Sequence, residues 1–244
     1  MRIGGFAALA LVVATAAGCG RGGFFRQYEY EEEIYLSLDG SATVYVNSSV
    51  PALDALRGAS FDPAPNAGLD RNQVREFFET PVTHVTRTVA TSRRSNRRFV
   101  HVRLDVADVG RLNEAAPFAW STYDFHQDGE SYVYHQTVGP SAGKGVPDVG
   151  WNGREFVAFR LHLPSRIGSH TGSFKRGNIL VWEQPLADRL RGTPLTLDAQ
   201  MATQSILYRT LWLFAVTFLA VAATFGVVIW WILRRTPQRP PQPI

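Results

Sequence analysis

The chain has 244 residues, 25 lysines and arginines against 21 acidic residues, and a formal net charge of +4. The surplus sits beside apolar segments at the two ends, at Arg2, Arg209, Arg234, Arg235 and Arg239. The region between Gly20 and Ser205 holds 20 basic residues against all 21 acidic ones, a net charge of −1. That balance gives no electrostatic footprint for nucleic acid, and a single cysteine excludes any intrachain disulfide, so the domain must be held by its core alone.

Residues 1–19 read MRIGGFAALALVVATAAGC. Arg2 precedes an apolar run that ends in the small residues Ala16, Ala17 and Gly18, the pattern of a secretory signal peptide over residues 1–18. Cys19 follows at once, as in the bacterial lipobox, with Ala16 where that pattern usually has leucine. The reading is acylation at Cys19 and a short tether over residues 19–26. One acyl chain binds a membrane only marginally, so stable anchoring needs a second signal.

Residues 27–203 read as one exported domain. Tyr28 to Leu38 alternates, with Tyr28, Tyr30, Ile34, Leu36 and Leu38 on one face and Glu29, Glu31, Glu33 and Ser37 on the other, a period-two strand with its acids toward solvent. Asp39-Gly40 then turns the chain into a second strand, Ala42 to Val46. A three-residue loop with Gly40 at positive φ keeps Ile34 and Leu36 on the face of Ala42, Val44 and Val46. Helices are expected over 50–57, capped by Ser49 with Pro51 in the first turn, and over 71–79, capped by Asp70 and burying Val74, Phe77 and Phe78. Residues 61–68, with Pro63 and Pro65, read as a loop.

Strands over 83–90 and 99–106 flank an arginine-rich turn, and 105–115 holds a short helix. A hairpin over 118–125 and 132–138 turns at Asp128-Gly129. Residues 139–153 form a glycine-rich loop, 156–163 a strand, 164–175 a loop, 178–183 a strand, 186–190 a helical turn and 195–201 the last strand. Hairpins interrupted by short helices imply an α+β fold with a mostly antiparallel sheet.

Few constellations carry chemistry. Arg87, Arg93, Arg94, Arg97, Arg98 and Arg103 surround the basic turn with no acid between them. Arg93, Arg94, Arg97 and Arg98 form a candidate patch for anionic headgroups or an anionic envelope polymer, with the acidic strand as the competing partner. The six histidines show no helical i, i+4 pair, and His84 with His101 across the second hairpin lacks a third ligand, so neither metal nor cofactor is expected. GPSAGKGV departs from a phosphate-binding loop, because Gly139 and Gly143 are too close and Gly145 stands where Ser or Thr would hold magnesium. No G-x-S-x-G elbow occurs, and no catalytic residue is assigned. The aromatic set Phe118, Trp120, Tyr123, Phe125, Tyr132, Tyr134, Trp151, Phe156 and Phe159 reads either as a lipid or sugar groove or as core.

Leu211 to Leu233 carries no charge over 23 residues, roughly 34 Å as a helix, enough to span a hydrocarbon layer. With Tyr208 and Trp212 at one end and Trp230 and Trp231 at the other, residues 208–233 read as a transmembrane helix. The arginines after it place residues 234–244, a proline-rich tail, in the cytoplasm.

The segment FRLHLPSRI…RGNILVWEQPLADRL, from Phe159 to Leu190, resembles the LppM-like bacterial envelope lipoproteins, as do Cys19, the Asp39-Gly40 hairpin and the terminal helix. In that family a strand ends at a proline, here Pro164, and a Gly/Asn turn, here Gly177-Asn178, leads into a strand with tryptophan, here Trp182. The resemblance implies an α+β envelope domain and supplies no catalytic residues. The expected function is that of a non-enzymatic envelope lipoprotein in the cytoplasmic membrane, its domain outside, binding envelope lipid, glycolipid or another membrane protein. The alternative is an anchored hydrolase or transferase with a site in the Gly139 to Trp151 loop. There His135, Asp148 and Ser141 or His162 would have to converge.

Overall fold

A computed structural model describes residues 26–86, 90–142 and 149–235. Cys19, the signal segment, Arg87, Asp148 and the tail from residue 236 lie outside the described residues. The described chain is α+β, built on two sheets.

β1 (Gln27–Leu36) and β2 (Ala42–Ser49) form the first hairpin. Ile34 pairs Val44 and Leu36 pairs Ala42. The Ser37 N–H donates to Ser41 O at 2.9 Å, leaving Leu38-Asp39-Gly40 as the loop, with Gly40 at φ +84°. The hydrophobic face sets this register, as the alternation predicts. β2 runs directly into α1 (Val50–Arg57). Ser49 caps its start by accepting from the Ala52 N–H, Pro51 lies in the first turn, and Gly58 ends it in the left-handed conformation. α1 buries Val50, Leu53 and Leu56 against β2 and β5.

The loop of residues 61–68 leads to α2 (Arg71–Phe78), capped by Asp70. It buries Val74 and Phe78. Phe77 is half-buried, edge-on to Phe61 and Phe78. β3 (Thr83–Val85), β4 (Ala90–Arg94) and β5 (Arg97–Val106) follow. The arginine-rich stretch is a correction to the expected turn. The strands continue through it, and the turn is only Ser95-Asn96, both at positive φ (50° and 57°), which gives two-residue hairpin geometry.

Two 3-10 turns, Val109–Glu114 and Ala116–Phe118, lead to β6 (Ser121–Asp128) and β7 (Ser131–Val138). Their turn is Gly129-Glu130, one residue later than expected, with Gly129 at φ +56°. β8 (Glu155–His162) comes next. Residues 164–175, expected as a loop, contain β9 (Ser165–His170) and the start of β10 (Phe174–Arg176). β9 is an irregular edge strand whose pairing slips twice, so its residues lack clean alternation. β11 (Ile179–Pro185), α3 (Leu186–Leu190) and β12 (Leu195–Ser205) complete the domain.

The eight-stranded sheet runs β10-β11-β8-β1-β2-β5-β3, with β4 also on β5. The four-stranded sheet runs β6-β7-β12-β9. Every pairing is antiparallel except β1 with β8, which is parallel and joins residues more than 100 positions apart. The small sheet, α1 and the 3-10 turns cover one face of the large sheet around Tyr30, Val44, Leu104, Phe118, Tyr134, Phe159, Leu161 and Trp182. Of the aromatic set, Phe118, Tyr123, Tyr134 and Phe159 are core, and Trp120, Phe125, Tyr132, Trp151 and Phe156 are half-buried around it.

β12 passes into α4 (Ile206–Arg235) with no residue between them. The Ile206 N–H donates to Pro164 O, and the Leu207 N–H to Ser205 Oγ. α4 buries none of its residues and is long and apolar enough to cross a membrane. The large sheet therefore has two distinct ends. β1, β5 and β8 all begin at one end, with Gln27, Arg97 and Glu155, and finish at the other, with Leu36, Val106 and His162. α4 leaves beside Pro164, at the second end. Ten residues of β1 separate the ends by roughly 30 Å.

Candidate functional site

The acidic strand does not face solvent. Position 32 is in phase with Tyr30, Ile34 and Leu36, so Glu32 points into the core, where it is 1% exposed. A buried carboxylate needs a counter-charge and donors. Arg57, from the last turn of α1, supplies the charge, its Nη2 standing 2.8 Å from Glu32 Oε2. Tyr30 donates to the same oxygen at 2.8 Å, while Tyr123 and Gln136 of the small sheet donate to Oε1 at 3.1 Å each. Arg57 Nε also donates to the Tyr30 hydroxyl. Burial raises the Tyr30, Tyr123 and Tyr134 phenols well above their ordinary pKa, so they stay protonated donors. Arg57 is held charged despite its burial by Tyr30 and Glu32 beside it.

Glu29 is buried as well, because the pairing of β1 with β8 shifts between Tyr28 and Tyr30 and turns it inward. Arg97 Nη2 reaches it at 3.0 Å and stands 3.9 Å from the buried Glu155. Arg97 also donates to Val149 O at 3.0 Å. The two remaining glutamates are half-buried on the uncovered face of the large sheet, Glu31 paired with Arg160 and Glu33 with His162. The His162 hydrogen bond lowers the Glu33 pKa, and Tyr35 stacks on the His162 ring at 3.8 Å. All four glutamates are thus paired, three of them across strands and Glu32 with α1.

Arg189, 3% exposed, is a different case. Its guanidinium donates to the carbonyls of Val138, Gly139 and Thr193 and to Gln184 Oε1, with no carboxylate among them. Burial, and then Arg57 nearby, lower its pKa to about 10. It fastens the start of the glycine-rich loop to α3.

The four patch arginines divide by strand register. Arg94 and Arg97 oppose each other on one face of the β4–β5 hairpin, and Arg93 and Arg98 on the other. Arg97 is consumed in the buried pair with Glu29. Arg94 lies over the Phe99 ring at 4.6 Å and donates to Tyr28 O. Arg93 and Arg98 face each other with no carboxylate beside them, and Arg98 Nε is buried without a hydrogen-bond partner among the described residues. Like charges directly opposite destabilise a hairpin. Next to this tip a cleft of about 500 Å³ opens between Asp62–Pro65 and residues Asn96, Arg97, Val149 and Gly150. The whole arrangement stands at the end of the sheet remote from α4.

The residues proposed for catalysis do not converge. His135 points outward from the small sheet, bonded to Asp198 at 2.7 Å and Thr137 at 3.1 Å. His162 points outward from the large sheet, on the opposite side of the molecule. Asp148 lies outside the described residues. His84 pairs with Asp105 in register and bonds Glu79, whereas His101 opposes Ala90, so the two do not meet. Among the described residues no three His, Cys, Asp or Glu are grouped as metal ligands.

No family model matches the chain, and no curated protein matches it. Among solved structures, the NMR structure of the folded domain of LppM from Mycobacterium tuberculosis aligns with 75% of this chain and 95% of that one, at a TM-score of 0.42 and 14% identity. That is a weak structural resemblance, and it carries no conclusion about what this chain binds or does.

Proposed function

We propose that the chain is a non-enzymatic module of the bacterial envelope, anchored by α4 as a single pass in the cytoplasmic membrane. Its domain lies outside, and its arginine hairpin holds an anionic envelope lipid, glycolipid or a membrane protein partner. The observation that carries this reading is the opposed pair Arg93 and Arg98, a repulsion that an anionic ligand would relieve. Arg234 and Arg235, lying over the Trp230 and Trp231 rings at 4.1 and 3.9 Å, support a cytoplasmic C-terminus. The titratable groups of the interior are already engaged with one another, which favours binding over catalysis.

Acylation of Cys19 fits this geometry. β1 begins at the hairpin end, beside Arg94, and the seven residues from Gly20 to Arg26 reach at most roughly 25 Å. With both anchors engaged, the hairpin end is tethered within roughly 25 Å of the bilayer, and tilting of the domain brings Arg93, Arg94 and Arg98 to headgroup level. The test uses the full chain extracted from membranes. Its intact mass, beside a Cys19→Ala variant, should start at residue 19 with acyl groups added. In nanodiscs, amide exchange over residues 90–98 should slow in phosphatidylglycerol relative to phosphatidylcholine. An unmodified start at Met1 removes the second anchor, and unchanged exchange removes the hairpin as the grip.

A further inference from the structure

A second basic site stands at the other end of the domain. A cleft of about 340 Å³ lies where β9, β12 and the first turn of α4 meet, lined by Glu130, Arg166, Ala202–Ser205, Ile206 and Arg209. Arg166 projects from β9 and Arg209 from the first turn of α4, and both are exposed. Neither is in an ion pair among the described residues, and Glu130 is the only carboxylate in the lining.

The position of the cleft fixes what it meets. Its floor is the junction of β12 with the apolar helix, and the apolar run begins at Leu211, two residues beyond Arg209. Tyr208 and Trp212, one helical turn apart and joined by a hydrogen bond at 3.2 Å, stand at the same level, where interfacial aromatics settle at the headgroups. Because no linker separates sheet from helix, the cleft cannot swing away from the membrane surface. Two guanidiniums flanking a polar cleft at that depth match the oxyanion of a phosphate ester, which arginine holds with paired N–H donors.

We propose that this juxtamembrane cleft binds the phosphate of an anionic phospholipid of the membrane that α4 crosses, with Arg166 and Arg209 as its ligands. The proposal rests on α4 being a membrane span. It adds a site distinct from the arginine hairpin, which lies roughly 30 Å away along the sheet.

The test is native mass spectrometry of the full chain released from phosphatidylglycerol nanodiscs, scoring bound lipid. At about 1 kcal/mol for each basic residue near an anionic surface, Arg166→Gln and Arg209→Gln should each reduce retention roughly fivefold, and the double variant roughly thirtyfold. Glu130→Gln should increase it, and Arg93→Gln/Arg98→Gln should leave this bound lipid in place. Both arginines are exposed, so thermal unfolding of the variants should match wild type. Equal retention in wild type and the double variant overturns the proposal. So does displacement of the lipid by an equal concentration of inorganic phosphate, which would mark a site for the free anion. Release of the chain from membranes by alkaline carbonate would instead remove the membrane span on which the proposal rests.

Discussion

Replacing Arg57 by methionine keeps the length of the side chain and removes the one positive charge that Glu32 touches. Glu32 is almost fully buried, and its other three partners, Tyr30, Tyr123 and Gln136, are neutral donors. Breaking a buried pair from one side strands the other charge, at about 3–5 kcal/mol. For a domain of this size that is a fall in Tm of roughly 6–20 °C at pH 7. Adding Glu32→Gln should restore most of the loss, because a neutral amide no longer needs the guanidinium. The assay is thermal unfolding of the full chain in detergent at pH 7, followed by near-UV circular dichroism. A Tm within 2 °C of wild type, or no recovery in the Arg57→Met/Glu32→Gln double variant, would refute the argument that this ion pair supports the core.

Gly139→Ala should cost about 2 kcal/mol, because its Cβ would stand 2.4 Å from the Trp120 carbonyl oxygen, whereas a Cβ at Gly68, which is not at positive φ, meets nothing within 4 Å. The same melts should rank Gly139→Ala well below Gly68→Ala. Burial lowers the His101 pKa, so the unfolded chain binds that proton first as the pH drops through the ordinary imidazole range near 6.5. Stability should therefore fall on acidification, and His101→Gln should flatten the slope of Tm against pH between about 7 and 5. Asn96→Gly should stabilise the hairpin by about 0.5 kcal/mol, because residue 96 sits at φ 57°, where glycine carries no Cβ penalty. A lower Tm would mean that the Asn96 side chain contributes more than its backbone strain.

Local pattern was enough to read the first hairpin, both capped helices, α3 and the apolar helix, because each depends on neighbouring residues. The buried acids were half legible. The same alternation that turns Tyr30 and Ile34 inward also turns Glu32 inward, and only the expectation that acids face water argued otherwise. Glu29 had no such signal, since its burial follows from a register shift against a strand about 125 residues away. β4 and the start of β5 were masked by charge, because a run of arginines reads as a solvated turn even when it is extended and paired. The opposed pair Arg93 and Arg98 needed the register of that hairpin, and the Arg166–Arg209 cleft needed β9, a strand without periodicity. The parallel pairing of β1 with β8 carries no local mark, because nothing within either strand names the other.

That parallel pairing has a consequence for how the chain matures. β1 is an interior strand of the large sheet, yet one of its two neighbours is made only when residues 155–162 emerge, more than 100 residues after it. Until then the first hairpin, with β5 added, is a sheet with one open flank. Late long-range closure is slow and leaves edges exposed to other chains. Synthesis therefore passes through a stage at which a holding factor, or rapid arrival of the second half, decides between a finished domain and an aggregate. Truncations that end before residue 162 should be insoluble however well their hairpins form.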